Sequence, residues 1–246
     1  MGRYRQRHRT QSLCSKGSAL PTELRVLSYN VRSLRDDAQA VSTVIRACEP
    51  DVVCIQEAPR FLRWRSKCAG LARESGLVVV TGGRTAAAML LLASLRVRVV
   101  EAADVLLTRK RGLHQRGIAL ATLELGGSQF SLGSIHLDLE GDERRRHVDE
   151  IVLRTASCPA PVIVAGDINE EPDGPAWRAL ATTYPDAYAA APTGDANTYS
   201  ATAPVRRIDG IFVDRAITVR SCGVPDVPGI DRASDHRPVL AVLQLP

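Results

Sequence analysis

Lysine is almost missing from this 246-residue chain: it stands only at positions 16, 67 and 110, so nearly all of the 32 basic residues are arginine. Aromatic residues are scarce too, at 4%. That leaves few rings on which unpaired bases can stack, which weakens the case for a single-strand nucleic-acid platform. No apolar run approaches the roughly 18 residues of a membrane span. No apolar h-region opens the chain, which argues against a secretory signal. The six cysteines (Cys14, Cys48, Cys54, Cys68, Cys158, Cys222) show no C-x-x-C spacing. Cys48, Cys54 and Cys158 sit in or beside apolar segments, so the expectation is buried free thiols in a reducing, cytoplasmic compartment. Excess charge is also missing from most of the chain. The net charge is +5, and residues 1–20 carry all of it through Arg3, Arg5, Arg7, Arg9 and Lys16, with no acid among them. The remainder has 32 − 5 = 27 basic residues against 27 acidic ones. The headline charge therefore describes a tail, and the electrostatic argument for nucleic acid is weaker than it first looks.

What is present is enough apolar residue, 45%, for one sizeable core. Residues 1–20 are polar and charged and read as a disordered basic tail. Polyanion or membrane binding and an over-long start are equal alternatives for it. Residues 21–246 read as one domain, with no break in composition and no repeat. Its centre is Pro161-Val162-Ile163-Val164-Ala165-Gly166-Asp167-Ile168-Asn169. The apolar run is that of a strand buried on both faces. Gly166 permits a close approach of backbone, and the strand ends by presenting Asp167 and Asn169 to one side, since residues two apart share a face.

Around it the periodicity predicts strands over Leu24–Asn30, Val52–Ile55, Leu77–Thr81, Met89–Ala93 and Val97–Val100. A hairpin follows over Ile118–Leu125 and Gln129–His136, turning at Gly126-Gly127. Further strands fall at Arg207–Val213, Ile217–Cys222 and Pro238–Leu245. Helices are predicted from a cap at Asp36 or Asp37 to about Cys48, over Arg60–Glu74, from a cap at Asp142 to about Ala156, and from Gly174-Pro175 through Trp177 and Leu180. Leu106–Gln115 and residues 183–205 read as loops. Many strands, few helices and short links suggest an α+β fold with sheet packed on sheet.

The polar residues fall in a pattern. Asn30, Glu57, His136, Asp167 with Asn169, Asp209, and Asp235 with His236 all lie at or beside strand edges. Each alone has a plainer explanation: a turn for Asn30 or Asp209, a helix-entry charge for Glu57, a satisfied core histidine for His136, a cap for Asp235. Together they are four carboxylates, two carboxamides and two imidazoles with no structural need for so many. Hard oxygen donors of this kind suit Mg²⁺ or Mn²⁺, and no Cys/His ligand set points to structural zinc.

In this order the chain carries Ser28-Tyr29-Asn30-Val31-Arg32, Ile55-Gln56-Glu57, His114-Gln115-Arg116-Gly117, Ile135-His136-Leu137-Asp138, Gly166-Asp167-Ile168-Asn169, Arg207-Ile208-Asp209-Gly210-Ile211-Phe212-Val213 and Ser234-Asp235-His236-Arg237-Pro238-Val239. The set, over about residues 24–245, resembles the endonuclease/exonuclease/phosphatase superfamily. That superfamily includes DNase I-like nucleases, abasic-site endonucleases, inositol-polyphosphate phosphatases and sphingomyelinases. The resemblance implies a four-layered α/β sandwich: two mixed β-sheets face to face, helices outside. It implies a Mg²⁺- or Mn²⁺-dependent phosphoester hydrolase, of phosphodiesterase or nuclease type, in which water attacks in line. By resemblance Glu57 with Asn30 holds the metal, and Asp235 lies near a second or alternative metal position. Asp167 orients or deprotonates the water, Asn169 holds a phosphate oxygen, and Asp209 sets the tautomer of His236. His136 and Arg116 bind non-bridging oxygens.

The chain departs from the family pattern in places. Abasic-site endonucleases have an acid two residues after the Asn, where Arg32 stands here. DNase I-like members carry a Tyr and a Glu after the second motif, and Thr85-Ala86-Ala87-Ala88-Met89 offers neither. No obvious acid pairs with His136, and Asp138, two residues on, is the candidate. The expected partner is a phosphoester substrate, nucleic acid among the candidates, with no protein partner. A lipid or inositol-phosphate hydrolase, and a non-catalytic anion-binding relative using Arg109-Lys110-Arg111, are the alternatives.

Overall fold

The structure, a computed structural model, describes residues 22–246. The basic tail of residues 1–20, and Cys14 within it, lies outside the described residues. In chain order the elements are β1 (Thr22–Asn30), α1 (Ala38–Ala47), β2 (Val52–Gln56), α2 (Trp64–Glu74), β3 (Val78–Gly83), β4 (Met89–Ala93), β5 (Arg98–Leu106), β6 (Gly117–Leu125) and β7 (Ser128–His136). They continue with α3 (Gly141–Thr155), β8 (Val162–Asp167), α4 (Pro175–Thr183), α5 (Ala187–Ala190), β9 (Asp209–Val213), β10 (Thr218–Gly223), α6 (Ile230–Ala233) and β11 (Val239–Leu245).

The strands form two sheets, ordered β10-β11-β1-β2-β4-β3 and β5-β6-β7-β8-β9. Each is mixed: β1 pairs parallel with β2, β7 pairs parallel with β8, and antiparallel pairings supply the rest. Alternation along the strands explains the layering, because successive side chains leave opposite faces of a sheet. Leu24 and Val26 of β1, with Val52 and Cys54 of β2, join Leu132, Ile163 and Ala165 of the other sheet in a core between the sheets. Leu27, Tyr29, Val53 and Ile55 face the other way, onto Val41, Val44 and Ile45 of α1 and Leu71 of α2. Ile135, Val162 and Val164 pack outward against Val148 and Ile151 of α3 and Leu180 of α4. The result is the expected four layers, two sheets inside and helices outside.

Capping agrees with the sequence at α1, where Asp37 accepts from the Ala40 amide at 2.9 Å. It differs at α3. That helix begins at Gly141 with no side-chain cap, and Asp142 sits inside its first turn, where its charge meets the positive end of the helix. The helix predicted from Arg60 starts only at Trp64. Pro59 disfavours helical backbone just before it, and Arg63 at φ 59° turns the chain into α2. The short strand at Val97–Val100 is in fact the nine-residue β5, whose pairing with β6 runs from Arg98↔Glu124 to Leu106↔Gly117. Pairing, not propensity, extends it. The loop 183–205 contains α5. All five described cysteines are free, and four of them are buried. No helix of the described residues is long and apolar enough to cross a membrane.

Candidate active site

Register assembles the site. His136, Asp167 and Asp209 stand side by side on β7, β8 and β9, as the pairings His136↔Asp167 and Asp167↔Asp209 require. Directly opposed strand residues place their Cβ atoms roughly 4.5–5.5 Å apart. Gly166 makes the close fit possible: a Cβ there would fall 1.9 Å from the Ile135 carbonyl oxygen. Asn30 closes the cluster from the other sheet. Its Nδ2 donates to Asp167 Oδ2 at 3.0 Å and to Glu57 Oε1 at 3.2 Å, and its Oδ1 accepts from the Arg32 amide at 3.1 Å. Glu57 and Asn169 both hold left-handed backbone, at φ 51° and 56°. Such conformations cost on the order of 1–3 kcal/mol in non-glycine residues and persist where the surroundings over-determine them.

Asp167 is the junction. Its Oδ2 lies 3.5 Å from His136 Nε2 and 3.7 Å from His236 Nε2, and its Oδ1 accepts the Asn169 amide at 2.9 Å. Burial, and then the Asp209 charge, push its carboxyl up to about 7, against the pull of His236 and Asn30. The two imidazoles are driven apart. Burial, followed by the charge of Arg116, holds His136 well below the ordinary histidine value, so it is neutral. Burial works the same way on His236, but Asp209 overrides it: with Nδ1 2.8 Å from Asp209 Oδ2, His236 is raised to about 10 and carries its proton. Asn169 Nδ2 lies 2.9 Å from His136 Nε2 and 3.0 Å from the Leu137 carbonyl oxygen. With both bonds donated by the amide, the His136 nitrogen accepts.

His136, Asp167, Asn169, His236 and Glu57 line one open cavity of about 420 Å³, which also takes in Arg116, Asp235 and Tyr199. The Arg116 Nε is buried without a hydrogen-bond partner among the described residues. Asp138, proposed above as a partner for His136, lies instead 3.6 Å from that Nε. Arg32, standing where abasic-site endonucleases have an acid, reaches Asp235 at 3.4 Å and Asp36 at 3.1 Å.

Residues 27–236 match the Endonuclease/Exonuclease/phosphatase family. The chain belongs to that family. No curated protein sequence matches it. Solved structures match in fold. A family member from Bacteroides vulgatus is 21% identical over 92% of this chain and 100% of its own, with a TM-score of 0.78. A mannosyl-6-phosphatase from Bacteroides thetaiotaomicron is 17% identical over 89% and 99%, at 0.75. D. rerio TDP2 in complex with a single-strand DNA product is 18% identical over 90% and 99%, at 0.71. Family membership makes the chain a phosphoesterase-type protein of the DNase I-like fold.

Family proteins commonly use a divalent metal, and the donor set here fits a hard cation. Glu57 Oε1 is steadied by Asn30, and Glu57 and Asp235 line the same cavity. Both offer carboxylate oxygen, the donor that suits Mg²⁺ or Mn²⁺. The Asn30 nitrogen donates to both Glu57 and Asp167, and its oxygen accepts from the Arg32 amide, which leaves that oxygen one lone pair. Asp167, Asp209 and His236 also bring ligand atoms within 4.8 Å of one another, but they are turned onto each other. The site also contains residues that the sequence reading missed. Tyr199 places its ring 5.0 Å from that of His236. Gln56, buried, donates to Ser134 Oγ at 3.2 Å and so ties the two sheets beneath the site. Ser234 Oγ donates to the Asn30 carbonyl at 2.8 Å. For Gln56 the signal was available, since a polar residue ends an apolar strand. Tyr199 had none, because it lies in a loop of small residues.

Proposed function

We propose that the chain is a divalent-metal-dependent phosphoester hydrolase, acting first of all on phosphodiesters by in-line attack of water. The observation that carries this reading is Asp167 placed between a neutral and a charged imidazole, lining an open cavity that Glu57 and Asp235 share with Arg116. A carboxyl raised to about 7 is poised to take a proton from water near neutral pH, where a matched base works best. Asn30 and the Asn169 amide hold that carboxylate in place. Arg116 brings positive charge to the non-bridging oxygens as negative charge grows there. Its buried Nε has Asp138 at 3.6 Å but makes no hydrogen bond among the described residues, and an oxyanion would supply one. His236, kept protonated by Asp209, stands opposite as a donor to the phosphoryl group or the leaving oxygen, much as a carboxylate-oriented imidazole does elsewhere. His136, kept neutral, adds no charge and sets the carboxamide of Asn169, which is left to contact a phosphate oxygen through water or by rotation. A Mg²⁺ or Mn²⁺ ion held by Glu57, with Asp235 across the cavity, would neutralise charge on the phosphoryl oxygens.

Proteins with this fold include a mannosyl-6-phosphatase and TDP2 holding a single-strand DNA product, so fold alone does not select the substrate. The test is a panel: bis-p-nitrophenyl phosphate, plasmid DNA, RNA, sphingomyelin and inositol phosphates, each with Mg²⁺ and after chelation. The expected outcome is metal-dependent turnover of at least one diester. A metal-loaded, folded protein that turns over none of them would leave the anion-binding alternative in its place.

A further inference from the structure

We propose that a groove beside the candidate active site binds the nucleotides that flank the scissile phosphate, and that the preferred substrate is a single-stranded polynucleotide. The proposal rests on the hydrolase reading above for the chemistry in the cavity, but the groove's binding is independent of it. The groove encloses about 730 Å³. It shares Arg60, Phe61, Ala87 and Gln115 with the catalytic cavity, so the two are continuous.

Three arginines, Arg60, Arg63 and Arg84, line it, and no acid does. Among the described residues none of the three is in an ion pair with a carboxylate. Other arginines of the described residues are unpaired as well, Arg109 and Arg111 among them, but these three stand together in one groove with no acid in its lining. A row of unpaired guanidiniums leading away from a phosphoester site is a track for further phosphates, which the planar guanidinium binds in bidentate fashion.

The rings are here as well. The chain has three phenylalanines. Phe130 and Phe212 are fully buried, whereas Phe61 is 67% exposed at the junction of groove and cavity. The Arg60 guanidinium lies 5.3 Å from its ring centre, and that of Arg65 lies 4.4 Å from the ring of Trp64. Trp64 is a rigid wall because Gly83 lets it in: at φ 87°, a Cβ on Gly83 would come within 2.4 Å of the indole ring. Arginine interleaved with aromatic residues over 60–65 is the pattern by which single strands are held, base on ring and phosphate on cation. A base must be unstacked to lie on Phe61, which excludes an intact duplex in this groove. Phe61, Leu62, Trp64, Ala87 and Leu106 make much of the wall apolar, so the competing occupant is an anionic lipid surface, which the measurement separates from a strand.

The measurement is anisotropy of a labelled 12-nucleotide phosphorothioate single strand with Mg²⁺, over a salt series. Beside it stand kcat/KM on the cleavable strand and on bis-p-nitrophenyl phosphate. In R63Q/R84Q the log–log salt slope should fall by about 1.4, at about 0.7 per lost phosphate contact on single strands. The ratio of kcat/KM for the strand to that for the small diester should fall with it. F61A should bind roughly five- to hundredfold more weakly, the scale of one base stack. F61Y should restore binding and F61L should not, which separates stacking from apolar bulk and from misfolding. An unchanged salt slope, or F61L as tight as F61Y, overturns the proposal. So does tighter binding to phosphatidylserine vesicles than to the strand, lost in R63Q/R84Q, which would put a lipid surface in the groove. Small-diester turnover without groove-dependent binding sinks the groove alone. Groove-dependent binding without turnover of any substrate sinks the hydrolase reading alone.

Discussion

His136, Asp167 and Asp209 end or begin neighbouring strands of the five-stranded sheet and are at most 6% exposed, whereas across the cavity Phe61 and Leu62 stand in a turn, Leu62 at 83% exposure. The first group is positioned by backbone register and by hydrogen bonds to His136 Nε2, both Asp167 oxygens and Asp209 Oδ2, while Asp209 Oδ1 is buried without one among the described residues. The second is placed by Pro59 and a left-handed Arg63, with arginine charges facing water. Charges in the interior act at low effective dielectric and shift each other strongly, while those at the rim are screened by salt. The inner wall is therefore suited to chemistry and the outer rim to selecting what enters.

The comparison can be broken first by removing the ion expected at Glu57 and Asp235 in the cavity. Chelation should abolish turnover and Mg²⁺ or Mn²⁺ should restore it. Full rates in EDTA, with no gain on adding metal, would show that the oxygen donors do not work through a cation. Next in size is Asp209→Asn. It leaves the shape intact but cannot hold His236 charged, and should lower kcat by roughly 10²–10⁴. An Asp209→Asn protein as fast as the parent removes the orienting role.

Gly166→Ala strikes the register itself. With backbone in the way of the new methyl, we expect a loss of about 1–3 kcal/mol or more, measured by urea unfolding. A smaller and pH-dependent effect belongs to His236. Its folded value, about 10, lies above the ordinary 6.5. The stability it contributes is therefore complete below about pH 6.5 and lost as pH rises toward 10. Buried thiols, raised by desolvation, add the same sign only from about pH 9 upward. Between pH 6.5 and 9, metal-free protein should lose stability, and His236→Asn should flatten that decline. Parallel profiles for the two proteins would contradict the assignment. The smallest effect is expected at the rim: Leu62→Ser should change stability by no more than about 0.5 kcal/mol. A larger loss would mean the turn is part of the packed body.

Much of the fold was legible because burial writes itself into spacing. Leu24 and Val26 alternate with Leu27 and Tyr29, and the structure sends each pair to its own core. The motif order located the strand ends that carry the site. What escaped was set by contacts far apart in sequence. The β5 strand grew to nine residues because β6 was there to pair with. The aromatic fraction of a whole chain does not tell where its few rings gather, and Phe61, Trp64 and Tyr199 line the two cavities. Asp138 looked like a partner for His136 because it lies two residues on. The chain leaves β7 at His136, however, and the next acid turns to Arg116.

By itself the sequence determined which side chains stand at the ends of buried strands, because apolar periodicity and the placement of Asn30, Glu57, His136, Asp167, Asp209 and His236 are both one-dimensional patterns. Only the tertiary structure decided their states. Asn30 and Asp167, 137 residues apart, meet at 3.0 Å because two sheets face each other. The two histidines sit in similar strand-edge contexts, yet one is neutral and the other charged. Burial lowers both, and the difference comes from the neighbours: the charge of Arg116 lowers His136 further, whereas Asp209, 2.8 Å from His236, raises it, because Coulomb energy and hydrogen bonding depend on distance through space.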